Sequence, residues 1–462
     1  MKQDHLARLR QGEELTWQQQ VSLTLRLSIP AILAQLSSII MQYIDASMVG
    51  RLGAADSASI GLVSSTTWLF GGLTSAAAIA FTVQVAQRIG ARDEADARNL
   101  MKQCFAVCLL FSALLMAVGA AIAVPLPGWL RADSSIHAHA TDYFLIFALS
   151  LPLIQLSNIS GGMLQASGNM RTPSILMVMM CILDVVFNAL LIFPTRTFHG
   201  ITIPGAELGV AGAALGTMLS HGVGALLLTY FLLRRSPALR LRRGEKLRFV
   251  PEQLRQGVKI ALPVAAERVL MCSAQIVNMS IIAPLGTVSI AANSFAVTAE
   301  ALCYMPGYGI QTAAATLVGQ SVGARRRDLT YRLGWLTTVL AMVVQGLAAV
   351  VLYAAAPVIV GILTPDPAVV ALATRVLRIV ILAEPMYAAS IVACGVFQGA
   401  GSTLPSTILN FVSMWGVRIP LTALLAARYG LVGAWVAMTI ELFVRGTLFL
   451  VRLVRRRWLP KE

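Results

Sequence analysis

Charge is what this chain has least of. Only 12% of its 462 residues are Asp, Glu, Lys or Arg, against about a quarter in a soluble domain. That shortage excludes an ordinary water-soluble globule. Cysteine and histidine are also sparse, six and five residues. Cys104, Cys108, Cys181, Cys272, Cys303 and Cys394 sit inside apolar runs without CxxC spacing. Zinc frameworks and disulfide scaffolds are thereby set aside, and the thiols read as small core residues. His137 and His139 have no third ligand nearby, too few for a metal centre. HExxH, GxxxxGK[ST], GxSxG and DDxxD-like patterns are absent, which removes the signals of metalloprotease, nucleotide-driven and serine-hydrolase chemistry. A membrane-embedded enzyme would need paired catalytic groups at one depth, and none stands out. The reading is non-enzymatic, without a cofactor, so any uphill work must draw on an ion gradient. The opening residues MKQDHLARLRQGEE lack a signal-peptide apolar region and cleavage site, so no removed leader is expected.

Apolar residues fill the space. They make up 57% of the chain, and mean hydropathy is +0.74. Runs of about 18 or more apolar residues are long enough to cross a bilayer. Continuous runs satisfy their backbone hydrogen bonds as helices rather than as alternating barrel strands. Twelve spans are expected, at roughly 24–48, 57–83, 100–124, 141–164, 172–194, 209–233, 257–282, 290–318, 333–356, 376–397, 405–427 and 431–454. The net charge of +15 does not point to nucleic acid, because its basic residues crowd three short segments beside spans. These are Arg234 to Lys259, Arg325 to Arg332 and Arg452 to Lys461. By the positive-inside rule both termini and the even-numbered loops are expected to be cytoplasmic, in a multi-pass protein of the cell inner membrane. The basic loop from Arg234 to Gly257 could bind anionic lipid heads, but is read here as a linker and orientation signal.

The spans repeat. Pro30, Gln42 and Leu52-Gly53 recur as Pro263, Gln275 and Leu285-Gly286, each 233 residues on. QRIGAR (Gln87–Arg92) recurs as QSVGAR (Gln320–Arg325), and Asp133 and Pro152 correspond to Asp366 and Pro385. GMLQASGNMRTPS (Gly162–Ser174) matches GVFQGAGSTLPS (Gly395–Ser406) with a one-residue slip. GVAGAA from Gly209 matches GLVGAW from Gly430 after an eleven-residue insertion around FHGITIPGAE. Twelve helices thus divide into two homologous six-helix bundles. An even count per half makes them parallel repeats about an axis along the membrane normal. The expected division is 1–233, a linker at 234–256, and 257–462. Met305-Pro306-Gly307 with Gly309, and Gly71-Gly72, are candidates for helix bends or close packing.

Acids inside spans are the candidate functional groups, because an ionised carboxylate in the bilayer costs several kcal/mol. In the first half these are Asp45 and Asp184, with Asn188 one turn beyond Asp184 on the same helical face. Thr217 can join them with a hydroxyl. Two carboxylates with such neighbours can share a proton or ligate a small hard cation. Holding helices together by hydrogen bonds is the plain alternative. The repeat keeps no acid opposite Asp45: its counterpart is Asn278. The second half instead carries Glu267, Glu300, Glu384 near a span end, and Glu441 four residues from Arg445. Glu441–Arg445 reads as an internal ion pair. Glu267 and Glu300 replace Ala34 and Thr67 of the first half. With Gln42, Gln275 and Asn278 they are candidate groups for meeting a cationic organic substrate in a cleft.

These segments together resemble the multidrug and toxic compound extrusion (MATE) family across essentially the whole chain. The resemblance rests on YIDASMVGRLG in span 1, the QxxGA turns, LQASGNMRTP, GVAGAALGT and MPGYG. It implies an all-α integral membrane protein, two bundles in a V, that exports organic, often cationic, compounds against H+ or Na+. It also implies that Asp45 couples cation movement, with Asp184, Asn188 and Thr217 at the same site, the acid and amide of the span-5 motif being exchanged in this chain. Proton coupling is preferred, because a sodium cage needs several placed oxygens. A monomer embedded in lipid, acting on small organic molecules, is the expected unit. A flippase for lipid-linked or other amphipathic metabolites is the alternative within this architecture. A major-facilitator carrier would carry GxxxDRxGRR after span 2, where this chain has QRIGARDEADARN.

Overall fold

The computed structural model describes residues 5–11, 13–130, 134–198, 201–242 and 244–459, with the side chains at 54, 196–198 and 201–203 also left aside. Asp133 and Lys461 therefore lie outside the described residues. The short α1 (His5–Gln11) precedes the long helices α2 (Trp17–Gly50), α3 (Ala54–Gly90) and α4 (Glu94–Ala123). The four-residue α5 (Leu126–Trp129) leads to α6 (His137–Ala166) and α7 (Arg171–Leu191). Then come β1 (Pro194–Phe198), β2 (Ile201–Ala206) and α8 (Gly209–Tyr230). The second half has α9 (Pro251–Ile282), α10 (Thr287–Gly323), α11 (Arg327–Leu363), α12 (Pro367–Val380), α13 (Glu384–Gly399), α14 (Leu404–Phe411) and α15 (Ile419–Val454).

Eleven helical stretches among the described residues are long and apolar enough to cross a membrane. The last, Leu404–Val454, has 51 residues, about 77 Å at 1.5 Å per residue, against a hydrocarbon core of about 30 Å. Gly430 breaks it with φ 61° and ψ −143°, and Gly433 beyond the break lies against the Leu425 carbonyl before it. This stretch accounts for two of the twelve expected spans. Span 10 is interrupted as well: α12 ends, three residues turn as a 3-10 helix, and α13 begins at Glu384-Pro385. Proline supplies no N–H to continue the preceding ladder, so the helix restarts there.

Two short strands interrupt the run of helices among the described residues. β1 and β2 pair antiparallel between α7 and α8, within the segment that lengthens the first repeat. Its Thr and Ile residues favour extended backbone, and a short polar connection between two spans lets a hairpin form. Near-complete helicity otherwise holds.

The repeat reaches the level of single backbone angles. Gly168 and Gly401 have φ 85° and 79°, Gly209 and Gly430 54° and 61°, and Arg92 and Arg325 61° and 55°. Left-handed backbone at a non-glycine residue is uncommon, so its recurrence at two matched arginines marks the same turn built twice. At the positions read as candidates for bends or close packing, α3 and α10 both run on as continuous helices. Gly307 makes room for the Gln345 side chain and Gly309 for the Ile32 backbone, each 2.6 Å from where a methyl would stand.

By contacts the chain forms two compact units: Met1–Leu36, Ala86–Arg92 and Leu262–Glu462 in one, Ser37–Val85 and Asp93–Ala261 in the other. This partition follows packing, whereas 1–233 and 257–462 follow the repeat. Ala86–Arg92 joins the first unit because two glycines meet backbone there. A methyl on Gly90 would overlap the Gln320 carbonyl, and one on Gly323 would overlap the Gln87 carbonyl. Gln87 also donates to the Gly399 carbonyl at 3.0 Å. The first unit's core carries Ala292, Ala296 and Ala299 against Ala373, Val376 and Val380, small residues that let helices approach closely. In the second unit Phe70 and Phe144 meet edge to face at 5.9 Å in the core around Val63 and Leu151.

Candidate functional site

Three helices of the second unit bring polar groups to one place. Asp45 lies near the end of α2. Asp184 and Asn188 share a face of α7 and are both fully buried. The Asn188 side-chain amide donates one hydrogen bond to Asp45 Oδ1 at 2.9 Å and another to Asp184 Oδ2 at 3.0 Å. From α8, the Ser220 hydroxyl contacts Asp184 Oδ1 at 3.0 Å. The two carboxyls also lie within electrostatic reach of each other. The sequence expectation thus has Asp45, Asp184 and Asn188 in direct connection.

Thr217 takes a different place. Its hydroxyl bonds back to the Ala213 carbonyl at 3.1 Å, which satisfies it within α8. Ser220, three residues on, supplies the hydroxyl that reaches Asp184, while also lying 2.9 Å from the Thr217 carbonyl. Gly216 is the second contribution of α8 that sequence reasoning missed. A methyl there would overlap Asn188 Oδ1, so only glycine admits the amide in this rotamer. The available signal was spacing: Gly216 and Ser220 stand four apart, on one helical face. Asn188 Oδ1 is buried with no hydrogen-bond partner among the described residues. Tyr143 and Cys181 lie within electrostatic reach of both carboxylates, and His221 within reach of Asp184.

The other unit holds its acids in three separate settings. Glu267 on α9 accepts from Asn410 at 2.8 Å and lies 3.4 Å from the Thr407 hydroxyl. With Leu270, Met271, Phe411 and Trp415 these residues line a shallow pocket. Glu441 is locked to Arg445 through contacts of 2.7 and 2.8 Å and is also bonded by Ser413, the internal ion pair expected from the sequence. Glu300 and Glu384 lie deep in the unit, 2% and 0% exposed, and feel each other's charge. Gln345 donates to Glu384 Oε2 at 2.6 Å. Glu384 was expected near a membrane edge. The break between α12 and α13 places it instead inside the bundle. Arg418, buried nearby, points its guanidinium at the sulfurs of Met438 and Met414, at 2.9 and 3.9 Å.

Of the remaining expected groups, Gln42 and Gln275 are exposed on α2 and α9, and Asn278 is half-buried. Gln42 belongs to one unit and Gln275 and Asn278 to the other. No group of three or more metal-ligating His, Cys, Asp or Glu side chains occurs among the described residues. The second unit's constellation can bind, hold and release a small cation or proton.

Known proteins bear on this geometry. The MatE family model matches residues 30–190 and 263–424. A Thermotoga maritima protein named probable multidrug resistance protein NorM is 25% identical over 442 residues, covering 94% of this chain and 92% of the relative. A protein of the same name from Xanthomonas axonopodis pv. citri is 26% identical over 440 residues, with 92% of each covered. A solved MOP superfamily transporter from Pyrococcus furiosus superposes with a TM-score of 0.88 at 19% identity, covering 99% of this chain and 98% of that one. The chain belongs to the MatE family: it is a multi-pass membrane transporter, not an enzyme.

Proposed function

We propose, from this family membership, that the chain is a secondary active exporter that drives organic, often cationic and amphipathic compounds out of the cytosol in exchange for protons, with sodium as the other candidate ion. Its relatives in Thermotoga and Xanthomonas are named probable multidrug resistance proteins. The single observation that carries the coupling reading is the Asn188 amide bridging Asp45 and Asp184.

Two unit charges about 4 Å apart repel by roughly 4 kcal/mol at an effective dielectric of 20. One proton held between the carboxyls removes that repulsion, and its departure restores it. Protonation at this site therefore changes the force between α2 and α7, which is the kind of differential interaction a transport cycle needs. The preference for a proton over sodium rests on chemistry: a carboxyl pair suffices to hold a proton, whereas a sodium cage needs several placed oxygens. Glu267, Glu300 and Glu384 supply negative charge suited to a cationic organic substrate.

The test is efflux from proteoliposomes. Under an imposed pH gradient, dye or drug movement should exceed that of protein-free vesicles, and Asp45→Asn should abolish it. An imposed sodium gradient that drives efflux when the pH gradient does not would overturn proton coupling. Normal efflux by Asp45→Asn would overturn the site.

A further inference from the structure

Between α8 and α9 the described residues of the stretch 236–250 form neither helix nor strand. Both its ends are ends of membrane spans, Gly209–Arg235 and Pro251–Leu285. It is tied down rather than loose. Arg98, 3% exposed on α4, grips Glu245 at 2.8 Å and donates to the Ala238 carbonyl at 3.2 Å. Lys102 donates to the Glu245 carbonyl at 2.9 Å. Asn99 pairs with the Arg248 backbone in both directions, at 2.9 and 3.0 Å, and Gln103 accepts from the Val250 N–H at 3.4 Å. These partners occupy the first three turns of α4, itself a span. The strap is therefore held at the level where helices leave the bilayer.

What it turns outward is unusual for a linker. Leu241, Leu247 and Phe249 are 49%, 41% and 56% exposed. Beside them stand the exposed Arg240, Arg242, Lys246 and Arg248. Its one carboxylate, Glu245, faces α4 and is consumed there by Arg98 and Lys102. The acids of adjoining α4 are engaged as well: Glu94 lies 3.6 Å from both Arg98 and Arg242, and Asp96 accepts from Gln253 at 2.8 Å. The outward side thus mixes apolar and cationic side chains with no acid of its own. Basic chains alone would serve as an orientation signal. Exposed leucines and phenylalanine in the same short stretch match an interface where acyl chains and charged heads meet.

We propose that the strap from Arg240 to Phe249 is a binding surface for the headgroups of anionic phospholipids in the surrounding membrane. Arg240, Lys246 and Arg248 meet the phosphates, and Leu241, Leu247 and Phe249 enter the acyl boundary. Each basic residue near a charged surface contributes about 1 kcal/mol, roughly fivefold in local lipid preference, and salt screens it.

A nitroxide on Phe249→Cys reads the depth of the strap, with labelled unsubstituted protein as background. Vesicles are made of phosphatidylcholine alone or with phosphatidylglycerol. With phosphatidylglycerol the label should gain collisions with oxygen and lose them with a water-soluble nickel chelate. High salt, or the triple variant Arg240→Gln, Lys246→Gln, Arg248→Gln, should reverse the shift. Equal depth in both vesicles, or a triple variant that responds as its parent does, overturns the proposal. Displacement of the label by transfer RNA but not by lipid also overturns it and assigns the surface to nucleic acid. A second readout needs no label: lipid co-purified with unsubstituted protein should be enriched severalfold in phosphatidylglycerol over that of the triple variant, and equal enrichment overturns the inference independently.

Discussion

Gly168 and Gly401 turn the chain in the same left-handed way, as do Gly209 and Gly430. Yet the polar residues hung on that shared backbone do not correspond. Asp45 faces Asn278 in the repeat. Carrying the one-residue slip forward, Asp184 and Asn188 fall opposite Gly416 and Pro420, and through the GVAGAA match Ser220 falls opposite Glu441. No member of the Asp45 constellation is kept in the second copy. Turns are constrained by sterics, which any duplicate inherits. A hydrogen-bonded carboxylate pair needs several particular side chains at once, and loss of one frees the others to drift. The halves consequently spend their acids differently, as a bridged pair in one and as three separate settings in the other.

The sharpest way to break this comparison is to move the acid. Asp45→Asn should reduce gradient-driven efflux to the level of empty vesicles while leaving membrane expression intact. Asn278→Asp added to that variant should not restore it, because Gly416 and Pro420 offer no amide to bridge the new carboxylate. Recovery of efflux in the double variant would show that the halves are interchangeable. Gly216→Ala belongs to the same test. It should push Asn188 from between the carboxylates and depress efflux strongly in a protein that still purifies.

A second experiment asks whether an acid of the other half is structural. Glu441→Gln leaves Arg445 buried and unpaired, a loss of about 3–5 kcal/mol. Thermal unfolding in detergent should fall sharply, with efflux lost only as the fold is lost. Replacing both partners by apolar residues should recover much of the stability, since a buried pair contributes little net stability against well-packed hydrophobic residues. An unchanged melting temperature for Glu441→Gln together with lost efflux would place that glutamate in the transport chemistry instead.

The reciprocal glycines allow a test of what the halves share. Gly90→Ala and Gly323→Ala each force a methyl into a carbonyl across the same crossing, an overpacking cost of about 1–3 kcal/mol. The two losses should be alike, and the double variant should fall short of their sum because both relieve one contact. Unequal costs would mean that the crossing is not symmetric in energy.

Much of this arrangement was legible in the sequence because its signals are local or periodic. Apolar runs set the spans, matched motifs set the repeat, and a four-residue spacing put Asp184 and Asn188 on one face. Asp45 met them as expected from its isolation in an apolar helix. What stayed hidden depended on packing between elements. The Ser220 hydroxyl reaches Asp184, whereas that of Thr217, one turn earlier, bonds back to its own helix. Glu384 sat at an apparent span end only because Pro385 restarts the helix inside the bundle. The inclusion of Ala86–Arg92 with the C-terminal half followed from a glycine meeting a carbonyl more than 200 residues away in sequence, as Gly90 and Gln320 do. No periodicity announces such a contact.

The smallest effect concerns the strap. Arg98, by hydrogen bond and charge, holds the Glu245 carboxyl below the usual carboxylate range, with Lys102 adding to it. A depressed folded value makes the ionised form the stabilising one. The contribution is therefore fully present above the ordinary glutamate value of about 4.3, and it is lost only as pH falls through the lower folded value. Between pH 5 and 8 the stability difference between unsubstituted protein and Glu245→Gln should stay flat. Because Glu245 is itself partly exposed, solvent screening limits that difference to about 1 kcal/mol. Melting curves across this range, taken with and without salt, measure it. A difference that grew steadily from pH 5 to 8 would mean that Glu245 titrates there. The grip of Arg98 would then be too weak to keep the strap's only acid turned away from the lipid.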